Sequence, residues 1–248
     1  MKRINKHIEP TQQIAKIKQL YKKQELNQCL STSPKKEYHI HGKAINWSSL
    51  EVECFWKKEL ISSMKEFEPN FIVDDRNRKT LAALYDYVWK KSDILDPSKG
   101  LLLWGPIGTG KSTLLKGLQR YYAKINRYCY GCNKSELGFK LTSAVEISLL
   151  YAKSGMDGIS RLTDRENMGN LAIDEIGKEP QDSKHFGTSI NVIQTLLQLR
   201  YEVRQEYVTH GTTNLDPNTD FIDVYDSYIA DRAKEMFNII HIKGESRR

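Results

Sequence analysis

A glycine-rich turn between an apolar run and a helix-forming segment constrains this 248-residue chain more than any other feature. The run is LLLW at residues 101–104, and the turn fits the pattern G-x-x-x-x-G-K-[ST]. In a strand–turn–helix of this kind, the backbone N–H groups and the start of the helix face a phosphate group. The residues predicted to contact a nucleoside triphosphate are Gly105, Pro106, Ile107, Gly108, Thr109, Gly110, Lys111, Ser112 and Thr113.

Two of these side chains have specific predicted roles. The Lys111 ammonium is expected to reach the β- and γ-phosphates of ATP, and the Ser112 hydroxyl is expected to ligate Mg²⁺. The predicted cofactors are therefore ATP and Mg²⁺. The alternative is a glycine turn that only joins a strand to a helix, but all the motif positions and both flanking segments match the phosphate-binding pattern.

Strands and helices are predicted to alternate along the rest of the chain. A helical stripe of apolar residues within 74–91 precedes the LLLW strand. Further helices are predicted at 111–122, 143–155, 189–205 and 227–237, and further strands at 138–142, 170–174, 206–213 and 238–242. This order is typical of βαβ units, so the sequence predicts an α/β fold with a parallel sheet covered on both faces.

Two adjacent acids follow the short apolar strand NLAID. Asp174 is predicted to hold Mg²⁺, usually through water, and Glu175 to orient or deprotonate the attacking water. Alone, this pattern also describes an exposed acidic strand end. Together with the glycine-rich turn it becomes a Walker B motif, and the Asp-Glu pair favours water over another phosphate acceptor.

A third polar cluster follows the strand in YVTHGTTN. Asn214 at the tip of that strand is a candidate to hydrogen-bond the γ-phosphate or the attacking water. The competing interpretation is a turn-forming Asn ahead of Pro217.

The ordered motifs resemble the AAA+ ATPases, and within them the DnaC/DnaI helicase-loader and IstB transposition-helper clade. The resemblance covers about residues 67–248 and depends on GPIGTGKST, LAIDEIG, LLQLRYE, TTNL, ADRAKEMFN and the terminal GESRR. It implies a three-layer αβα P-loop NTPase core that lacks a full C-terminal helical lid. It also implies a small, mostly helical N-terminal region.

The resemblance assigns roles to further residues. Asn214 would be sensor 1, and Arg232 would be the arginine finger that reaches the γ-phosphate in a neighbouring subunit. A homo-oligomer with ATP at its subunit interfaces follows. The family usually has Ser before this arginine, whereas Asp231 stands here, and a solvated helix residue is the alternative role of Arg232. Phe71 and Ile72 would lie near the adenine base, or serve in packing alone.

The domain division predicted from the sequence is a basic accessory region, 1–68, and an ATPase core, 69–248. The accessory region carries 13 Lys and Arg against 8 Asp and Glu, and it is expected to dock a client protein. The favoured interpretation is a DnaC-like loader whose client is a replicative helicase, and the alternative is an IstB-like transposition helper whose client is a transposase. Single-stranded DNA is an expected partner. An ATP-gated adaptor with negligible turnover and a P-loop phosphotransferase are the alternatives from other functional classes.

Arg200 lies at the edge of the apolar stripe formed by Val192, Leu196, Leu199 and Val203. Its side chain is expected to extend to solvent, or alternatively to act across an interface.

The cysteine content and the absence of a long apolar run predict a cytoplasmic protein without a membrane span. Two zinc sets remain open, with free thiols as the favoured interpretation of the second: Cys29, His39, His41 and Cys54, and Cys129 with Cys132.

Overall fold

The computed structural model describes residues 35–40, 43–128 and 138–247. The described strands are β1 (Lys35–Ile40), β2 (Lys43–Ser48), β3 (Gly100–Trp104), β4 (Lys140–Ser143), β5 (Leu171–Ile176), β6 (Ser183–His185), β7 (Thr188–Ile190), β8 (Thr209–Thr213) and β9 (Phe237–His241). The described helices are α1 (Ser49–Lys65), α2 (Arg78–Val88), α3 (Lys111–Tyr128), α4 (Ala144–Thr163), α5 (Val192–Glu202), α6 (Asp220–Tyr225) and α7 (Ser227–Met236).

The central sheet has five strands in the order β4-β5-β8-β3-β9, and every neighbouring pair is parallel. Strand β3 lies inside the sheet, where Leu102 pairs with Gly211 on one side and Ile239 on the other. A strand covered on both faces needs apolar residues at every position, which explains the continuous LLLW run. Because all strands run the same way, their carboxyl ends form one edge of the sheet.

Helices cover both faces of this sheet. Leu101 and Leu103 point to a core shared with α1, α2 and α3, whereas Leu102 points to a second core shared with α4, α5 and α7. All three leucines are fully buried. Alternate side chains of one strand therefore enter opposite cores, as the period of two requires. The predicted three-layer αβα arrangement is confirmed.

Helix α1 packs on α3 and belongs to the first core. Its residues Phe55, Trp56 and Leu60 are buried there, and Met64 lies so close to Gly117 of α3 that a methyl group at 117 would overlap the Met64 sulfur. This helix agrees with the small helical N-terminal region that the resemblance implies. The domain division at residue 68 stays a prediction, and α1, on its N-terminal side, shares a core with the sheet.

Residues 35–40 and 43–48 form a pair of strands ahead of α1. Strands β1 and β2 pair antiparallel, from Lys35 with Ser48 to Ile40 with Lys43. Pro34 and Gly42 are residue types common in loops, but the residues on either side of Gly42 include Tyr38, Ile45 and Trp47, which favour extended backbone.

Two helix boundaries also differ from prediction. The helix predicted from residue 189 begins at Val192, because residues 188–190 form β7 and pair with β6. The side chain of Asn191 caps the helix by accepting a hydrogen bond from the Gln194 backbone N–H, at 2.9 Å. The helix predicted to end at Gly155 instead bends there, with φ of 59°, and continues to Thr163.

Among the described helices, none combines the length and apolar character that crossing a membrane requires.

Candidate nucleotide-binding site

The glycine-rich turn joins β3 to α3 in the way the sequence predicts. Gly105, Gly108 and Gly110 have φ of 141°, 83° and 92°, a region that side chains with a Cβ rarely adopt. Thr109 donates a hydrogen bond from Oγ1 to the Pro106 carbonyl at 2.9 Å. These glycines fold the backbone into a compact loop at the start of α3, where backbone N–H groups and the helix dipole favour an anion.

Lys111 places its ammonium group inside this loop. Its Nζ donates to the carbonyl oxygens of Gly105 and Pro106, each at 2.7 Å, and the residue is only 7% exposed. Burial lowers the pKa of Lys111, and the negative charges of Asp174 and Glu175 partly oppose that shift. The lysine is thus held against the loop at the start of α3, and its phosphate-binding role stays a prediction.

The Walker residues of β5 and α3 meet at the carboxyl edge of the sheet. The Ser112 hydroxyl donates to Oδ1 of Asp174 at 2.8 Å. Thr212 of β8 donates to the same oxygen at 2.6 Å, and its Oγ1 accepts from the Glu175 backbone N–H at 2.9 Å. A hydroxyl and a carboxylate side by side are hard oxygen ligands of the kind Mg²⁺ prefers, so these residues fit that ion.

Thr212 belongs to this cluster, although the sequence pattern predicts no role for it. It joins Asp174 and Glu175 across two neighbouring strands, and it is 1% exposed. The sequence places a threonine at the end of a predicted strand, next to the strand that carries Asp174 and Glu175. The hydroxyl lies between the two acids only because of the pairing register of β5 and β8, which the sequence does not show.

Glu175 has a left-handed backbone conformation, with φ of 59°. It lies where the pairing of β5 and β8 shifts register, between Ile173 and Ile176. Such a conformation costs about 1–3 kcal/mol for a residue with a side chain. The bulge leaves Glu175 exposed at the edge of the sheet while Asp174 stays buried.

These residues open onto one cavity of about 410 Å³, within the range of small-molecule sites. Lys111, Ser112, Glu175 and Asn214 all line it. Asn214 follows the end of β8 and therefore shares the cavity with the Walker residues. Its sensor role stays a prediction, as do the individual catalytic roles of the others.

The segment before α2 forms another wall of this cavity. Phe71 and Ile72 both line it, as predicted for residues near a base. Phe71 is buried and belongs to the first core, whereas Ile72 is 65% exposed and leaves an apolar surface at the cavity mouth. The adenine-binding role of the pair stays a prediction.

The end of the chain forms a further wall that the sequence analysis did not assign to the site. The Arg247 backbone N–H donates to the Gly108 carbonyl at 3.0 Å, and its guanidinium donates to Asp74 Oδ1 at 3.0 Å. Ser246 lies so close to Gly108 that a Cβ there would overlap its hydroxyl. The sequence offered only the GESRR pattern, with no indication that this tail would contact the glycine-rich turn.

Arg232 lies on α7 and does not line the cavity described above. Its guanidinium is stacked between the rings of Tyr201 and Tyr228, at 4.1 and 3.7 Å from their centroids. Its Nη2 forms an ion pair with Glu202 Oε1, at 3.4 Å. Within the described part of the chain, Arg232 forms no ion pair with the adjacent Asp231. The arginine-finger role stays a prediction, and the side chain is 15% exposed.

Arg200 is fully buried, so the expectation that it extends to solvent is wrong. Its Nε donates to Thr209 Oγ1 at 2.9 Å, and its Nη2 donates to the Gly169 carbonyl at 2.8 Å. The side chain is buried because its acceptors lie in β8 and in the loop before β5. The apolar pattern of the helix alone could not indicate these acceptors.

The predicted zinc sets fall largely outside the described residues. Within the described ranges no group of three or more His, Cys, Asp or Glu residues is placed to hold a metal ion. Cys54 is half-buried as a free thiol, and the zinc predictions remain open. The residues outside the description are Cys29, His41, Cys129 and Cys132.

Neither a protein-family model nor a curated protein sequence matches this chain. Solved structures do match it. The DnaC helicase loader is 17% identical over 71% of this chain and 95% of that chain, with a TM-score of 0.50. DnaI is 21% identical over 77% of this chain and 93% of that chain, also with a TM-score of 0.50. At these identities the likeness concerns the fold, and it confirms the predicted α/β fold of the DnaC and DnaI type.

Proposed function

We propose that this chain binds Mg·ATP in the cavity beside the glycine-rich turn and hydrolyses it. The observation that carries the proposal is the cluster formed by Lys111, Ser112, Asp174 and Glu175, which the fold brings together from α3 and β5 at one edge of the sheet. A glycine-rich loop, a cation, a hydroxyl and two carboxylates are the groups that phosphoryl transfer to water needs.

Each residue has a defined task in this proposal. The loop N–H groups and Lys111 bind and orient the phosphates, and neutralise the charge that develops on them. Ser112 and Asp174 hold Mg²⁺, which supplies charge neutralisation between the phosphates when bound. Glu175 accepts the proton of the attacking water, and Asn214 orients that water or the γ-phosphate.

We further propose that the active form is a homo-oligomer in which Arg232 acts on ATP bound by a neighbouring copy. The aromatic stack of Tyr201 and Tyr228 holds this arginine against its own chain. Reaching a neighbour's phosphate therefore requires the side chain to leave that stack. Such a step makes hydrolysis depend on assembly and makes ATP a switch for the interface.

The function that we favour is a DnaC-like loader of a replicative helicase, with residues 1–68 docking the helicase and single-stranded DNA as a further ligand. The likeness of fold to the DnaC helicase loader and to DnaI supports it. An IstB-like transposition helper uses the same ATP site with a transposase as client. An ATP-gated adaptor or a phosphotransferase would share the cavity but not release phosphate to water at a useful rate.

The test is complex formation with the replicative helicase of the same organism. We expect the two proteins to co-elute in size-exclusion chromatography, and the pair with ATP to deposit helicase on circular single-stranded DNA. A variant lacking residues 1–48 and retaining α1 should hydrolyse ATP yet lose the complex. Absence of a helicase complex with the full chain, or an ATP-dependent complex with a transposase instead, would overturn the loader assignment.

A further inference from the structure

A second cavity lies at the opposite end of the sheet from the nucleotide-binding site. Its volume is about 820 Å³, and its walls include Gly138 and Lys140 at the start of β4, and Gly169 and Leu171 at the start of β5. We call it the basal cavity. The ATP cavity lies at the carboxyl ends of these strands, so the two sites are separated by the length of a strand, roughly 15–20 Å.

The described wall of the basal cavity is strongly basic. Arg120, Lys140, Arg161 and Arg200 all line it, and its described residues include no Asp or Glu. Arg120 forms an ion pair with Glu66 outside the wall. Lys140 and Arg161 form no ion pair with any described residue, and both are exposed.

Arg200 distinguishes this cavity from an ordinary basic surface. It is fully buried, and its described hydrogen-bond acceptors are neutral: Thr209 Oγ1 and the carbonyls of Gly169 and Val208. Its Nη1 has no partner in the described part of the chain. Burial lowers the pKa of Arg200 to about 10, so the side chain is still cationic at neutral pH. A buried cation without a counter-charge is unfavourable, and an anion in the cavity would offset that cost.

The other wall residues suit a base or sugar better than a bare ion. Phe67 is 46% exposed and offers an aromatic face, while Gln119 and Asn167 carry amides that can donate and accept hydrogen bonds. The volume lies within the range of small-molecule sites. A nucleic-acid backbone is bound mainly by exposed Lys and Arg, whereas the innermost cation here is buried.

We propose that the basal cavity is a second ligand site, for a small phosphorylated ligand of the nucleotide class. Lys140 and Arg161 contact its phosphates, Arg200 supplies the buried positive charge behind them, and Phe67 covers its base. Because β5 and α3 reach both cavities, occupancy here would bear on the same elements that carry the ATP site.

The experiment measures binding in a Lys111→Ala background, in which nucleotide binding at the ATP site is weakened at least about 30-fold. ATP, GTP and inorganic tripolyphosphate are titrated separately by calorimetry into this protein. We expect one saturable event for the nucleotides, weakened at least about 10-fold when Lys140→Ala and Arg161→Ala are added. The matched control carries Lys153→Ala and Lys184→Ala, which remove the same charge from exposed positions elsewhere, and it should bind as the background does.

Three results would overturn this proposal. One is the absence of any event with all three probes. Another is equal affinity in the Lys140/Arg161 variant and the background. The third concerns a single-stranded oligonucleotide titrated in the same way. If the Lys140 and Arg161 substitutions weakened binding of the oligonucleotide but not of the nucleotides, the cavity would belong to a nucleic-acid path instead. Because both substituted side chains are exposed, loss of folding is not expected, and thermal unfolding of each variant checks it.

Discussion

Replacing Glu175 with Gln is expected to lower ATP turnover by at least about 100-fold while ATP affinity changes by less than about 2-fold. The amide cannot accept the proton of the attacking water, but it has the size and shape of the carboxylate. The backbone that positions residue 175 is held by its N–H bond to Thr212 and by the β-bulge, neither of which involves the side chain. Phosphate release under single-turnover conditions and binding of a fluorescent ATP analogue measure the two quantities.

Glu166→Gln is the matched control for this substitution. Glu166 is an exposed acid in the loop before β5, outside the cavity. It should retain wild-type turnover. If Glu175→Gln also retained wild-type turnover, Glu175 would not be the group that activates water, and hydrolysis by this cluster would lose its main support.

Replacing Lys111 with Ala is expected to weaken ATP binding at least about 30-fold, since removing one partner of a buried charged contact costs about 2–5 kcal/mol. The ammonium sits at 2.7 Å from two loop carbonyls, so its position is fixed before ATP arrives. Without it the loop presents carbonyl oxygens, which repel a polyphosphate. Calorimetric titration with Mg·ATP measures the loss.

Lys116→Ala provides the comparison for Lys111→Ala. Lys116 lies on the same helix, one and a half turns further on, and does not line the ATP cavity. It should bind ATP as the wild type does. Equal ATP affinity in the Lys111 and Lys116 variants would place the nucleotide elsewhere on the protein.

The conformation of the glycine-rich turn was predictable because its structure is local. A stretch of 15 consecutive residues contains a buried strand, three glycines with positive φ and the start of a helix. The parallel sheet was predictable for a related reason, since alternating helical and apolar segments leave few other topologies. Asp174 and Glu175 followed once the strand that carries them was identified.

Contacts between distant segments were not predictable in the same way. Thr212 reaches Asp174 only through the register of β5 and β8, and Arg247 reaches Gly108 from 139 positions away in the sequence. The burial of Arg200 depends on a carbonyl in the loop before β5. The pairing of β1 with β2 was not predictable, because Pro and Gly near short β-prone segments indicate loops and paired strands equally.

The central claim is that the ATP site is completed between copies of the chain. Its most direct test is ATP hydrolysis per protein molecule across a range of protein concentrations, for wild type, Arg232→Ala and Arg204→Ala. Arg204 also stacks on Tyr201, 3.9 Å from the ring centroid, and so controls for loss of that contact. We expect activity to rise with concentration in wild type and Arg204→Ala, and to fall by roughly 10³-fold in Arg232→Ala although ATP still binds. Activity that is independent of concentration and equal in all three proteins would contradict the claim.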